Sequence, residues 1–262
     1  MNVSPAVNVT VLASTLSVGG AERALQTLVR GLRLRSYEFH IICLRRRGAV
    51  GDELASEGFP VETEVLTRPE RWWRTAARLR RCHALLALDH HNVVTLLGAA
   101  ASSLPPPVLW FHLQGPPRSS WRPVLRRAAA VVVVASSQRR HLAAAGVAAN
   151  VRVVPNGVVV PPPSQEADRA AAKNHFATPP GRTVVATVTR LSYEKGVDIL
   201  LRTLAGISPG ERPFALIAGG GPDRERLLAL SQRLLSPGDY SFVGELRDPS
   251  VVYRAADVLV LP

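Results

Sequence analysis

Sulfur and aromatic residues are scarce in this chain of 262 residues, which holds two cysteines, one methionine and 5% aromatics. Cys43 and Cys82 each sit in an apolar or mixed setting with no second ligand at metal spacing, which points to reduced, buried thiols. No uncharged apolar stretch approaches the ~20 residues a membrane span needs. Met1–Ala6 carries no basic segment leading into a long apolar run, so a soluble, cytoplasmic chain is expected. The longest apolar candidate, 128–135, is a valine-rich run of strand length and reads as a buried parallel strand. No basic helix with interleaved stacking residues and no zinc-finger spacing occurs, so nucleic acid is not expected as a partner. Neither an Asp-x-Asp metal motif nor a repeat at solenoid period is present.

What the chain does have is enough apolar sequence for a sizeable core, 47% hydrophobic against 20% charged residues. Its net charge of +12 comes mostly from arginine, as in Arg45-Arg46-Arg47, Arg80-Arg81, Arg126-Arg127 and Arg139-Arg140. Such a surface favours polyanions: a nucleic acid, an anionic membrane leaflet or a phosphate-bearing substrate. A solvated arginine-rich face is the competing reading.

Short apolar runs alternate with helical patterns along the chain. Strands are expected at 8–13, 39–44, 84–88, 108–112, 130–135 and 151–154, with helices at 21–32 and near 71–81. Pro161-Pro162-Pro163 opens a stretch reaching Pro179-Pro180-Gly181 that reads as a linker with one helix inside it. The alternation then restarts, with strands at 183–189, 214–218, 240–243 and 258–261 and helices at 197–205, 223–235 and near 249–256. Nearly all-apolar strands separated by helices indicate parallel sheets covered on both faces. The expectation is an α/β protein with two Rossmann-like domains facing a cleft: 1–160, then a proline-rich linker at 161–181, then 182–262. Open α/β sheets bind ligands at the carboxyl ends of their strands.

Between the first strand and its helix lies Ser17-Val18-Gly19-Gly20-Ala21-Glu22-Arg23. Bare glycines there let backbone N–H groups and the helix N-terminus approach an anion, although a tight turn uses the same sequence. The spacing is not the dinucleotide fingerprint Gly-x-Gly-x-x-Gly. Further along stand Val153-Val154-Pro155-Asn156-Gly157-Val158, then Thr189-Arg190-Leu191-Ser192-Tyr193-Glu194-Lys195-Gly196, then Ala218-Gly219-Gly220-Gly221-Pro222. Phe242-Val243-Gly244 and the run 255–262 (Ala-Ala-Asp-Val-Leu-Val-Leu-Pro) complete the series.

In this order and spacing the motifs resemble those of family-4 retaining glycosyltransferases of GT-B fold, from Asn8 to Pro262. The resemblance implies a nucleotide-sugar donor and a glycan, lipid-linked or phospholipid acceptor. It places Gly19, Gly20, Gly219 and Gly221 around the donor, and gives its diphosphate to Arg190 and Lys195, where preplaced cations stabilise the charge that grows on the leaving group. His112 stands where the family has a histidine that contacts the donor sugar, which implies a catalytic role; His90 and His91, at another strand end, are weaker candidates. No metal and no cofactor is implied, because basic side chains and helix dipoles take the metal's place. Thr189 departs from the family's usual glycine.

The family's donor site is closed by a segment with two glutamates separated by seven residues, which follows the equivalent of Pro262. Its absence implies a truncated chain, with an incomplete second domain and an inactive or very weak enzyme. A short, non-catalytic nucleotide-sugar or polyanion binding module is the alternative. The arginine-rich first domain is expected to rest on an anionic surface at the inner face of a membrane.

Overall fold

The computed structural model describes residues 7–65, 69–88, 91–100, 103–112, 116–148 and 150–262. The chain forms two compact units, residues 1–160 and 161–262.

In the first unit, strands β1 (Val7–Thr15), β2 (Tyr37–Arg46), β3 (Val61–Thr63), β4 (Ala84–Leu88), β5 (Val108–Phe111), β6 (Ala130–Val133) and β7 (Val151–Val153) form one sheet. The order is β3-β2-β1-β4-β5-β6-β7, with every pairing parallel. Alternation along β1 shows why its strands read as unbroken apolar runs. Val11 and Ala13 pack with Ala24, Leu25 and Val29 of α1 (Gly20–Arg33) and with Val50 and Leu54 of α2 (Gly48–Ser56). Leu12 points the other way, into a cluster with α3 (Pro69–Leu79), α4 (His91–Ala99), α5 (Arg122–Arg127) and α6 (Ser136–Ala144). Both faces are covered, so the central strands are mostly apolar, with Ser14 of β1 a buried polar exception.

The second unit repeats the plan with β8 (Val184–Val188), β9 (Phe214–Ala218), β10 (Tyr240–Gly244) and β11 (Val258–Leu259), in the order β10-β9-β8-β11. Val185, Ala215 and Ile217 pack on α8 (Val197–Ala205) and α9 (Arg224–Leu234). Val184, Ala186, Leu216 and Ala218 pack on Ala172 of α7 (Glu166–His175) and on Val252 and Ala255 of α10 (Ser250–Ala255). The stretch 161–181 therefore contributes α7 to this unit's core.

Asp257 fastens that helix. Its carboxylate accepts the Val184 N–H at 2.8 Å, Lys173 at 2.9 Å and Arg169 at 3.0 Å, tying α7 to the start of β8. Burial pushes its carboxyl up, but the Val184 N–H and the charges of Lys173 and Arg169 outweigh burial and hold it below the usual range. A second pin joins Arg212 and Arg182 to Asp239 at 2.7 and 3.0 Å. Arg212 also donates to the Leu204 and Ile207 carbonyls at the end of α8, at 2.9 Å each, so this buried cation is fully partnered.

Cys43 is fully buried and burial pushes its thiol up to about 12, whereas Cys82 is half-buried. Among the described residues, no helix is long and apolar enough to cross a membrane.

Candidate functional site

All strands of a parallel sheet end at the same edge, and each unit has one place there where the chain reverses its direction of winding. In the first unit β1 leads to β2 and β3 on one side and to β4 on the other, so the switch point lies between β1 and β4. In the second it lies between β8 and β11. Loops leaving such neighbouring strands diverge to opposite faces and leave a crevice.

At the first switch point stands the loop after β1. Gly19 is the extended N-cap of α1, and the first intrahelical bond runs from the Arg23 N–H to the Gly19 carbonyl at 3.0 Å. The N–H groups of Gly20 and Ala21 thus lie ahead of the helical ladder, at the positive end of a 14-residue helix. No atom lies within 4 Å of a Cβ built on Gly20, and one on Gly19 would meet only the flexible Glu22 carboxylate. Nothing in the protein itself demands glycine at these two positions.

The loop is held from behind. Leu16 donates to the Arg47 carbonyl at 3.1 Å and accepts from Val50 at 2.9 Å, and Gly48 has φ 69° where a side chain would strike the Leu16 backbone. Arg46 donates to the Ser17 hydroxyl at 3.2 Å, and Ser17 and Thr15 share a hydrogen bond of 2.8 Å. Arg23 and Gln26 of α1 both reach Glu53 of α2, at 2.5 and 2.9 Å. Arg23 of the Gly-Gly-Ala-Glu-Arg motif is thereby tied to α2.

Further along the edge, His112 follows β5. Its Nε2 lies 3.3 Å from the Asn156 side-chain oxygen, and its ring rests 4.7 Å from that of Trp110. His91 opens α4 beyond β4 and stacks on Trp121 at 6.3 Å. Strand β4 separates β1 from β5, so the carboxyl ends of these two strands, which lead to the Gly19–Gly20 loop and to His112, stand about 10 Å apart along the edge. His90 and the residues 113–115 after His112 lie outside the described residues.

At the second switch point two loops are zipped together. Thr189 donates to Ala218 at 3.0 Å, Leu191 to Gly220 at 2.8 Å, and Asp223 to Leu191 at 2.9 Å. The approach is so close that a Cβ on Gly219 (φ 136°) would overlap the Thr189 carbonyl oxygen and stand 2.9 Å from its carbon. One on Gly221 (φ 156°) would overlap the Leu191 carbonyl oxygen and stand 2.7 Å from its carbon. These glycines are required by the backbone itself, unlike Gly19 and Gly20. Their consequence is to fix the segment that carries Arg190 and Lys195.

Arg190 is exposed and Lys195 half-buried, and Gly196 (φ 63°) turns the chain from Lys195 into α8. Between the two cations, Glu194 accepts from the Ser192 hydroxyl at 2.7 Å. That bond chiefly, with smaller contributions from Arg190 and Lys195, holds the Glu194 carboxyl below its usual range. The loop therefore presents two cations with one carboxylate nearby, a setting suited to a multiply charged anion. Among the described residues, no group of three or more His, Cys, Asp or Glu side chains is placed to hold a metal ion.

The sequence alone does not mark Arg46, Gly48 or the pairing of Asn156 with His112 as parts of the site. Asn156 stood inside a quoted motif; Gly48, next to an arginine run, gave the only local signal for the tight turn.

Residues 18–160 match the family model Glycosyltransferase Family 4, and residues 168–262 match glycosyl transferases group 1. The D-inositol 3-phosphate glycosyltransferase of Segniliparus rotundus is 34% identical over 103 residues, a match that takes in 36% of this chain and 23% of that enzyme. The chain thus spans under a quarter of that curated relative. HepE of Anabaena, in complex with UDP and glucose, superposes with a TM-score of 0.78 at 18% identity over 96% of this chain and 73% of its own. A glycosyltransferase of Rickettsia africae gives a TM-score of 0.77 at 14% identity over 97% of this chain and 72% of its own. The α/β fold with two parallel-sheet units is that of the GT-B glycosyltransferases. With more than half of its length matched by one family model, the chain belongs to glycosyltransferase family 4.

Proposed function

We propose that this chain serves a retaining glycosyltransferase, which moves a sugar from a nucleoside diphosphate donor to a glycan, lipid-linked or phospholipid acceptor. The observation that carries the reading is the pair Arg190 and Lys195, held by the zipped loops beside the second unit's switch point. HepE's complexes with UDP and with UDP-glucose make a uridine nucleotide the first donor to test. The D-inositol 3-phosphate glycosyltransferase makes a phosphorylated polyol the first acceptor.

In this reaction the bond between the sugar's anomeric carbon and the diphosphate oxygen breaks, and negative charge grows on the diphosphate. Arg190 and Lys195 stabilise that charge, and within the first unit the Gly20 and Ala21 N–H groups at the α1 N-terminus are a separate candidate contact for an anionic ligand. The acceptor hydroxyl attacks the face that the phosphate leaves, its proton passes to a phosphate oxygen, and the new bond keeps the old configuration. His112, oriented by Asn156 and Trp110, contacts the donor sugar.

The test is transfer of labelled glucose from UDP-glucose to an inositol phosphate, with product configuration read by NMR. An α-configured product from the α-configured donor supports the proposal. A β-configured product, or hydrolysis that is unaffected by acceptor and by loss of Arg190, overturns it.

A further inference from the structure

The two helical layers on the first unit's sheet are charged very differently. Residues 1–160 hold twenty arginines against nine acidic residues, while 161–262 hold twelve basic against eleven acidic. In the α1–α2 layer three arginines are ion-paired, Arg23 with Glu53, Arg30 with Glu57 and Arg47 with Asp52, and Arg33 donates to the Glu57 carbonyl. In the α3–α6 layer Arg78 of α3 pairs with Glu62 and Glu64, and beyond it such pairing is sparse among the described residues. No Asp or Glu occurs between Asp89 and Glu166, a span that covers α4, α5 and α6. Arg122 on α5 and Arg139 and Arg140 on α6 are exposed and make no ion pair among the described residues. The same holds for Arg74 on α3 and for Arg81 just beyond it. Beside them Trp73 is 63% exposed, the one large apolar side chain exposed on these four helices among the described residues. An indole costs free energy in water and gains it where an apolar interior meets a polar, anionic boundary.

We infer that the α3–α6 layer of the first unit is a docking surface for an anionic lipid bilayer. Trp73 enters the headgroup region, and Arg74, Arg81, Arg122, Arg139 and Arg140 hold acidic headgroups. A lipid surface fits better than a nucleic acid, because the cations spread over α3, α5 and α6 and one lone aromatic offers no row of stacking platforms. This rests on the lipid-linked or phospholipid acceptor of the proposed function, and it is tested without donor, acceptor or turnover.

The experiment is sedimentation of the full chain with phosphatidylcholine vesicles, with and without phosphatidylglycerol, at low salt. Binding is expected only with the anionic lipid. Each arginine near a charged surface contributes about fivefold in affinity, so a triple Arg122→Gln, Arg139→Gln, Arg140→Gln variant should bind about a hundredfold more weakly. Trp73→Ala should weaken binding with the charge unchanged. A control with the same net charge, Arg35→Gln, Arg202→Gln, Arg233→Gln, alters exposed arginines elsewhere and should bind as the parent does. Equal pelleting with neutral and anionic vesicles overturns the inference. So does a control that weakens binding as much as the patch variant, or patch-dependent retention on an RNA oligonucleotide with no vesicle binding. Unchanged melting of each variant shows that the fold is intact.

Discussion

One methyl group should separate the two kinds of glycine in this protein. At Gly219 the backbone has φ 136°, a region reserved for glycine, and a Cβ would overlap the Thr189 carbonyl. Forcing alanine there costs about 1–3 kcal/mol in backbone strain. Relieving the overlap requires the two loops to part, which breaks the Thr189 to Ala218 and Leu191 to Gly220 hydrogen bonds. Those contribute about 1 kcal/mol each, so Gly219→Ala should cost roughly 3–5 kcal/mol. In a unit of this size that lowers Tm by on the order of 10 °C or more. At Gly20 a Cβ meets nothing and the residue opens a helix, so Gly20→Ala should leave Tm unchanged or raise it slightly. Its methyl would stand over the exposed N–H groups and weaken nucleotide binding. Thermal melting and calorimetric titration with UDP read the two effects separately. A Gly219→Ala protein that melts with the parent would refute the loop-packing reasoning, and a Gly20→Ala protein that binds UDP with parental affinity would refute the open-helix reading.

Three further outcomes are expected. Asp257→Asn removes the anchor of α7 and should destabilise the second unit by about 1–2 kcal/mol at pH 7, measured by denaturant unfolding. Because the Asp257 and Asp239 carboxyls are both held below their usual range in the folded protein, their stabilisation is complete above the unfolded value of about 4 and is lost as pH falls below it. Melting temperature should therefore drop on acidification below about pH 4, less steeply in Asp257→Asn; equal slopes would count against the assigned ion pairs. His112→Ala should weaken binding of UDP-glucose while leaving UDP binding unchanged, since only the former carries the sugar; equal losses for both ligands would remove the sugar contact.

The parallel strands were legible in the sequence because burial on both faces leaves them almost wholly apolar. Strand β3 was not, being three residues at an edge with Glu62 and Thr63 exposed. Helix α2 was hidden by Gly48 and Gly51, poor helix formers, and its N-terminus rests on the Leu16 carbonyl from another part of the chain. Helix α4 carries Val93, Val94, Leu96 and Leu97 buried together, so it lacks the polar face that marks a helix by period. The candidate site was legible as motifs and silent as geometry. Local order announced Arg190 and Lys195, but the zipping of Gly219 and Gly221 against Thr189 and Leu191 is set by register between β8 and β9. Asp257 stood in a motif read as leading to the donor site; the structure shows it anchoring α7, a partner more than eighty residues away that no local pattern reveals.

The most direct measurement is calorimetric titration of the full chain with UDP, GDP and ADP at low salt, beside Arg190→Ala and Lys195→Ala variants. One nucleoside diphosphate should bind saturably at one site. Each variant should lose about ten- to a hundredfold in affinity with no change in Tm, the contribution of one charge-assisted contact. Binding that is indifferent to both cations, or no binding of any nucleoside diphosphate, would contradict the placement of the donor diphosphate at the end of β8.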